Sequence, residues 1–283
     1  IEPKTKPDQD KLEEALQRLM QEDPSFRSRI DTETGQNIIS GMGELHLEIM
    51  VDRLQREFKV DCKAGTPRVA YRETITQSAE SATKFEQTLD GKEQFASCRI
   101  KLEPLKAGSG FEFENKLSAE KLPGKFAVAV EQGIQDGMSN GVLAGFAMID
   151  LKATLIAAEY FEELSTETAF SIAGINVLRA GVQKAKPTLL EPSMKIEVVT
   201  PVSFTGEVIG DLNARHGRIR GMEEQGGIQV ILAEAPLAEM FGYSTRLRSL
   251  TQGRASFTMH FSHYSSVTEA TRKALTGESA SSG

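Results

Sequence analysis

The sequence has only two cysteines and four histidines in 283 residues, and none of them cluster. Cys62 and Cys98 lie outside any Cys-x-x-Cys arrangement, and the histidines have no metal-ligand spacing. This excludes a disulfide scaffold and a zinc module, and it favours a reducing cytoplasm. No run of about eighteen apolar residues occurs, and the first residues have neither a basic nor an apolar signal region. We therefore expect a cytoplasmic protein without a membrane partner.

Motifs for phosphate binding and for nucleophilic catalysis are also missing. Gly91-Lys92 and Gly124-Lys125 lack the preceding glycine of a phosphate-binding loop, and no Gly-x-Ser-x-Gly elbow occurs. Gly108-Ser109-Gly110 lacks the third glycine of a dinucleotide fingerprint, which favours a simple loop. We expect no cofactor, no metal and no catalysis in this chain. The enzyme alternative is a free-standing metabolic α/β enzyme that uses Glu162 and Glu163 as an acid/base pair.

The formal net charge of -7 argues against a protein that coats nucleic acid through its overall charge. The charge is nevertheless uneven. Between Lys184 and Arg254, nine Lys or Arg stand against eight Asp or Glu, so this segment is near +1 and leaves -8 for the rest. A basic surface that contacts RNA is therefore expected in this segment.

Hydrophobic periodicity predicts the same order of elements at both ends of the chain. Near the start, apolar residues at helical spacing between Leu12 and Met20 precede a hairpin over 26–40, a second helix over 44–58 and a strand over 60–63. Near the end, apolar residues alternate along three predicted strands. Helices are predicted at 206–213, after the first of these strands, and from Leu237, after the second. The alternating rows are Met194, Ile196, Val198; Ile228, Val230, Leu232; and Phe257, Met259, Phe261. Two split βαβ sandwiches explain this repetition.

The stretch between them has polar strands first and helices later, at about 125–138 and 166–184. Prolines interrupt the chain on both sides of it. The predicted domains are 1–68, 69–190 and 191–265, followed by a tail over 266–283. The tail has one short helix and a low-complexity end, which we interpret as disordered.

Several motifs resemble the elongation factor G family of translational GTPases. The segments similar to its domain III and the exit from it are Ile1-Glu-Pro-Lys-Thr-Lys6, Glu22-Asp-Pro-Ser-Phe-Arg27, Gly41-Met-Gly-Glu-Leu-His-Leu-Glu48 and Val69-Ala-Tyr-Arg-Glu-Thr74. The segments similar to its domain V are Leu189-Leu-Glu-Pro192, Gly206-Glu-Val-Ile-Gly-Asp-Leu212, Arg215-His-Gly-Arg-Ile219, Met240-Phe-Gly-Tyr243 and Leu247-Arg-Ser-Leu-Thr-Gln-Gly-Arg-Ala255. The resemblance covers nearly the whole chain.

The resemblance implies an α+β chain of three domains: two ferredoxin-like βαββαβ sandwiches that flank a domain like domain 2 of ribosomal protein S5. It implies a monomeric, cytoplasmic parent protein that binds the ribosome, through rRNA and ribosomal proteins, and also tRNA and mRNA. GTP and Mg are expected in an N-terminal domain of that parent and not in this chain. The implied role is in elongation, in the translocation of tRNA and mRNA.

Two groups of site residues follow from the resemblance. Gly41, Gly43, Glu44 and His46 are expected to relay between the GTPase side and the decoding side. The structural alternative, which is compatible with a relay, is that the glycines form a turn and Glu44 favours a helix start. Arg215, His216, Arg218 and Arg220 are expected to face rRNA, since no acidic residue interrupts 213–220. Cations that stabilise a helix C-terminus are the structural alternative.

The expected tip of the middle domain departs from the family pattern. Translocating relatives combine a glycine-rich loop with a second loop that bears a His-Asp pair, whereas 89–95 has one glycine and 159–166 has neither His nor Asp. The residues expected to face the ribosome and tRNA are Lys92, Gln94, Tyr160, Phe161, Glu162, Glu163 and Ser165. Carboxylates repel phosphates, which leaves a paralogue in ribosome recycling, rescue or tetracycline protection as an alternative. Ser165 or Thr166 could also simply start the next helix.

Overall fold

The structure, a computed structural model, describes residues 1–30, 37–41, 44–65, 69–89 and 91–277. Contacts divide the chain into two units, one of Ile1–Arg68 with Lys195–His260 and one of Val69–Met194 with Phe261–Gly283. Several sheets and helices alternate in both, so the α+β class predicted from the sequence is confirmed. The domain boundaries that we placed from the sequence stay predictions.

The N-terminal segment has the predicted order βαββαβ. Its elements are β1 (Glu2–Pro3), α1 (Lys6–Glu22), β2 (Arg27–Ile30), β3 (Asn37–Ser40), α2 (Glu44–Arg56) and β4 (Cys62–Lys63). Strand β1 pairs antiparallel with β4, and β2 pairs antiparallel with β3. The apolar faces of the two helices bury Leu12, Leu19 and Leu54 together with Phe26. Burial of these side chains is what holds such short strands in place.

The middle segment is a four-stranded sheet with two helices packed against each other. Its elements are β5 (Arg72–Ile75), β6 (Ala79–Leu89), β7 (Lys92–Pro104), β8 (Phe111–Asn115), α3 (Gly124–Asn140), β9 (Leu151–Glu159) and α4 (Glu167–Lys184). The sheet order is β6-β7-β9-β8, and only the β8 and β9 pair is parallel among its ladders. Helix α3 provides the crossover that a parallel pair needs. Glycines let the helices touch: a Cβ on Gly133 would lie 2.0 Å from the Ser171 carbonyl oxygen.

A buried carboxylate organises the loop that follows α3. Glu73 is fully buried, and its two oxygens accept hydrogen bonds from the N–H groups of Val142, Leu143, Ala144 and Phe146 at 2.7 to 3.0 Å. Such a cage of backbone donors compensates the loss of water around the charge. Glu73 therefore joins β5 to a segment about seventy residues later in the sequence.

The C-terminal segment repeats the order βαββαβ. Its elements are β10 (Pro187–Pro201), α5 (Thr205–Ala214), β11 (Arg218–Gln225), β12 (Ile228–Pro236), α6 (Tyr243–Leu250) and β13 (Ser256–Ser266), followed by α7 (Glu269–Thr276). The sheet order is β11-β12-β10-β13, with the first and third strands of the motif side by side at its centre, and β5 adds a fifth strand by pairing antiparallel with the start of β10. This is the strand order of a ferredoxin-like sandwich.

Two details of this segment differ from the sequence prediction. The second helix begins at Tyr243 and not at Leu237, because Leu237–Met240 forms a 3-10 turn and Gly242 interrupts the chain with a φ of 74°. In β12 the buried row is Gln229, Ile231, Ala233 and Ala235, whereas Ile228 is exposed and Val230 and Leu232 are half-buried. A strand with apolar residues on both faces does not reveal through alternation which row is covered.

Candidate functional site

The tip loop, which we define as residues 160–165 between β9 and α4, is fastened to strand β7. The Phe161 N–H donates to Ser165 Oγ (3.0 Å), and the Ser165 hydroxyl donates to the Phe95 carbonyl oxygen (2.8 Å). The Phe95 N–H in turn donates to the Leu164 carbonyl oxygen (2.9 Å). The rings of Phe95 and Phe161 meet edge to face with centroids 4.7 Å apart. Contacts near both of its ends thus attach the loop to β7.

Thr166 anchors the end of the tip loop and starts the next helix. Its hydroxyl accepts from the Ala169 N–H (3.1 Å) as the N-cap of α4, and it donates to Gln94 Oε1 (2.6 Å). The helix-start interpretation of this segment is therefore confirmed for Thr166. The ring of Tyr160 packs at 5.7 Å from that of Phe126, so it faces the core of the domain.

Glu162 and Glu163 occupy the exposed turn of the tip loop. Neither carboxylate has an ion-pair partner in the part of the chain that the structure describes. Phe161, which precedes them, is itself 53% exposed. Any phosphate that approached this turn would meet two uncompensated negative charges, at a Coulomb cost of about 1 kcal/mol per pair at 4 Å in water.

The structure brings most of the predicted tip residues together. Gln94, Tyr160, Phe161, Glu162, Glu163 and Ser165 all lie in or against the tip loop. Lys92 begins β7 opposite Leu89, but its side chain lies outside the described residues. Phe95 was missed by the sequence analysis. The available signal was its place next to Gln94 on a predicted strand, where adjacent side chains lie on opposite faces. The Phe95 ring contacts Phe161, and Gln94 Oε1 accepts from Thr166.

Arg215, at the end of α5, is largely enclosed by its own domain. Its side chain is 19% exposed, and Nε lies 2.9 Å from Asp211 Oδ2. The guanidinium also donates to the backbone carbonyls of Glu239 and Phe241, and its central carbon lies 5.2 Å from the ring centre of Tyr243. A carboxylate, two carbonyls and an aromatic face thus surround one cation, which gives Arg215 a structural role.

The three residues that follow in the predicted rRNA-facing group are more open. The His216 side chain is 64% exposed, and its Nδ1 lies 3.5 Å from Glu239 Oε1. Arg218 is exposed at the start of β11 and has no ion-pair partner among the residues described. Arg220 pairs with Glu234, its Nε donating over 2.8 Å to Oε2. Arg218 is therefore the cation of this group that is most available to a phosphate.

The predicted relay group lies around the start of α2. His46 Nε2 is 2.9 Å from Asp23 Oδ2, and its ring meets that of Phe26 edge to face at 6.3 Å. Hydrogen bonds from Ser25 hold the pKa of Asp23 below its ordinary value, and His46 adds to this effect. A Cβ on Gly41 would lie 2.6 Å from His46 Nδ1. Gly43 and the side chain of Glu44 lie outside the described residues, although α2 begins at Glu44 as the sequence predicts.

Both cysteine thiols are buried, and a shallow cleft lies beside α3. Burial raises the pKa of the Cys98 thiol to about 12, and it raises that of Cys62 as well, so both thiols stay protonated at neutral pH. No group of three or more metal-ligating side chains occurs in the described ranges. A shallow cleft of about 230 Å³ lies between α3 and β8, and it is lined by Phe111, Gln135, Met138, Ser139, Ala147 and Met148. Glu162 and Glu163 are not among the residues that line this cleft.

No helix in the part of the chain covered by the structure is both long and apolar enough to cross a membrane.

Comparison with known proteins agrees with this architecture along nearly the whole chain. Three family models match in succession: elongation factor G domain III at residues 1–66, domain IV at 67–186 and the elongation factor G C-terminus at 188–275. A solved structure, described as the crystal structure of ttk003000868 from Thermus thermophilus, superimposes with a TM-score of 0.86 at 38% identity. The match covers 100% of this chain and 42% of that one.

The three successive family matches place the chain in the class of multidomain translation factors. Within that class the chain belongs to the elongation factor G family, of which it carries domains III, IV and the C-terminal region.

Proposed function

We propose that this chain is the ribosome-binding portion of a translational GTPase that acts in elongation, in the translocation of tRNA and mRNA. The observation that carries the proposal is the succession of three elongation factor G domains over residues 1–275. In this proposal the domain V-like segment contacts rRNA through the exposed cations of 215–220, ribosomal proteins contact the neighbouring surfaces, and the tip of the middle domain approaches tRNA and mRNA. The protein acts as a cytoplasmic monomer.

Ribosome binding by the purified chain tests this proposal. The chain should sediment with purified ribosomes, and an intact elongation factor G should displace it, because both would occupy the same site. An Arg218→Gln variant should bind more weakly with a salt slope reduced by about 0.7 to 0.9, the amount expected for one lost phosphate contact. Arg179→Gln removes an exposed arginine from α4 and serves as the matched control. If the wild-type chain does not sediment with ribosomes at micromolar concentration, the proposal is wrong.

In this proposal the chain itself neither binds nor hydrolyses GTP. The support comes from its sequence, in which no glycine-rich loop precedes a Lys-Ser or Lys-Thr pair to hold the phosphates. Calorimetric titration of the chain with GTP and Mg²⁺ should give no saturable heat. Micromolar binding at a single site would contradict this expectation and would require a nucleotide site outside the known motif.

A role in ribosome recycling, rescue or tetracycline protection is the second candidate. It is favoured by the tip loop, where Glu162 and Glu163 stand on a fastened turn in place of the His-Asp pair expected of a translocating factor. Two carboxylates at this position weaken an approach to tRNA and mRNA backbones. A factor with such a tip would bind the ribosome but move tRNA slowly.

A further inference from the structure

Helix α5 ends in a turn whose left-handed position holds a histidine. The Gly217 N–H donates to the Leu212 carbonyl oxygen (2.8 Å), and the His216 N–H donates to that of Asn213 (3.1 Å). These two bonds define a Schellman turn, in which glycine is the usual residue at the position of His216. Here His216 has a φ of 57°. A Cβ in this conformation crowds the backbone, so neighbouring contacts must hold the turn in place.

Arg215 supplies those contacts, because it is the residue immediately before His216 and caps the helix. Its guanidinium reaches back one turn to Asp211 and across to the two carbonyls that precede α6. Asp211 in addition accepts from Arg246 Nε of α6 at 3.2 Å. The end of α5 is thereby fixed against a second segment of the same domain. The direction in which the chain leaves the turn, toward Arg218, is fixed with it.

We propose that Arg215 is a positioning residue: it holds the strained turn so that His216 and Arg218 face RNA, and it does not itself bind a phosphate. This inference rests on the proposed function, in which residues 215–220 lie against rRNA. In this basic run Arg215 therefore holds the turn, whereas His216 and Arg218 form the surface that faces RNA. The sequence alone suggests instead that all of them act alike.

The effect of Asp211→Asn on ribosome binding separates the two roles. If the segment worked only through its charge, removal of a negative charge beside Arg215 would leave binding unchanged or tighten it. If Arg215 positions the turn, loss of the Asp211 carboxylate that anchors it should weaken ribosome binding about tenfold, and Arg215→Gln should do the same. The reason is that the left-handed conformation of a residue with a Cβ is unfavourable by an amount that corresponds to about a tenfold change in binding. Arg179→Gln should bind like the wild type. Unchanged or tighter binding by Asp211→Asn would overturn the inference.

A double-mutant cycle with His216→Gly tests the same point from the other side. Glycine adopts the left-handed conformation without strain, so the turn then needs Arg215 less. Arg215→Gln should cost less than about threefold in the His216→Gly background, against about tenfold in the wild type. An equal loss in both backgrounds would mean that Arg215 contacts RNA directly.

Hydrogen exchange of the Gly217 amide gives a measurement that does not depend on RNA. This amide donates within the Schellman turn, so its exchange should become about tenfold faster in Arg215→Gln and stay unchanged in Arg179→Gln. Unaltered exchange in Arg215→Gln would contradict the positioning role. A wild-type chain that fails to bind ribosomes would instead contradict the proposed function, so the two failures are distinguishable.

Discussion

At the scale of single residues, two buried carboxylates, Asp150 and Glu73, stabilise backbone turns by accepting hydrogen bonds from N–H groups. Asp150 has a φ of 58° and accepts from the N–H groups of Gly108 (3.0 Å) and Gly110 (2.9 Å), which explains the glycine pair as a loop and not as a nucleotide fingerprint. Glu73 does the same for the loop after α3 through four N–H groups. Both carboxylates are acceptors only, and their partners are all donors.

Glu73→Gln is therefore predicted to destabilise the chain although it is isosteric. The amide nitrogen would face backbone N–H groups, which leaves buried donors unpaired at a cost of about 2 to 4 kcal/mol in the free energy of unfolding. Urea unfolding followed by circular dichroism measures this loss. Glu80→Gln, which changes an exposed glutamate on β6, should stay within about 0.5 kcal/mol of the wild type. Equal stability of the two variants would show that the cage does not depend on the charge.

At the scale of elements, the tip loop is a fastened turn and not a glycine-rich flexible one. Ser165 is central to it, because one hydroxyl accepts from the Phe161 N–H and donates to the Phe95 carbonyl. A loop held in this way loses little conformational entropy when it meets a partner, so its shape contributes to specificity.

Ser165→Ala is predicted to loosen this turn without unfolding the domain. Loss of both hydrogen bonds should make the Phe161 amide exchange about tenfold faster, which corresponds to about 1.4 kcal/mol of local opening free energy. The global unfolding transition should change little, because the buried core lies elsewhere. Ser109→Ala alters an exposed serine in the loop before β8 and should change neither quantity. If Phe161 exchange is the same in both variants, Ser165 does not hold the loop.

The elements also show how far the sequence predicts this fold and its site. Helical periodicity and proline positions are local signals, and they predict the order βαββαβ at both ends correctly. The buried row of β12 depends on which face the helices cover, and the enclosure of Arg215 depends on carbonyls more than twenty residues away. Neither fact has a local signal. From sequence alone, an arginine in a basic run is predicted to be exposed, because its partners elsewhere in the chain are not known.

At the scale of the whole molecule, charge is divided between the two regions proposed to meet RNA. The segment 184–254 is near +1 in a chain of net charge -7, whereas the exposed turn of the tip loop carries Glu162 and Glu163. Salt should therefore act on them in opposite directions: it weakens attraction between Arg218 and phosphate, and it reduces repulsion at the two glutamates. In the proposed function the basic segment makes the attractive contact with RNA, so binding of the chain should weaken as salt rises.

Replacement of the tip loop tests which step of translation the parent protein serves. In a factor that carries this chain together with a GTPase domain, exchange of residues 159–166 for a loop with a His-Asp pair should raise the rate of translocation, since it replaces Glu162 and Glu163 and lowers the negative charge of the turn proposed to approach tRNA and mRNA phosphates. GTP hydrolysis should change little because it takes place on a different domain. A Glu162→Gln, Glu163→Gln variant is the matched control: it removes the charge and keeps the fastened turn.

If the unaltered factor already moves tRNA as fast as an elongation factor G with the His-Asp pair, the glutamates are only a solvated turn. If it moves tRNA slowly but splits ribosomes together with a recycling factor, the tip is specialised for recycling, and the charge-only variant then tells whether repulsion or loop shape causes the slow movement.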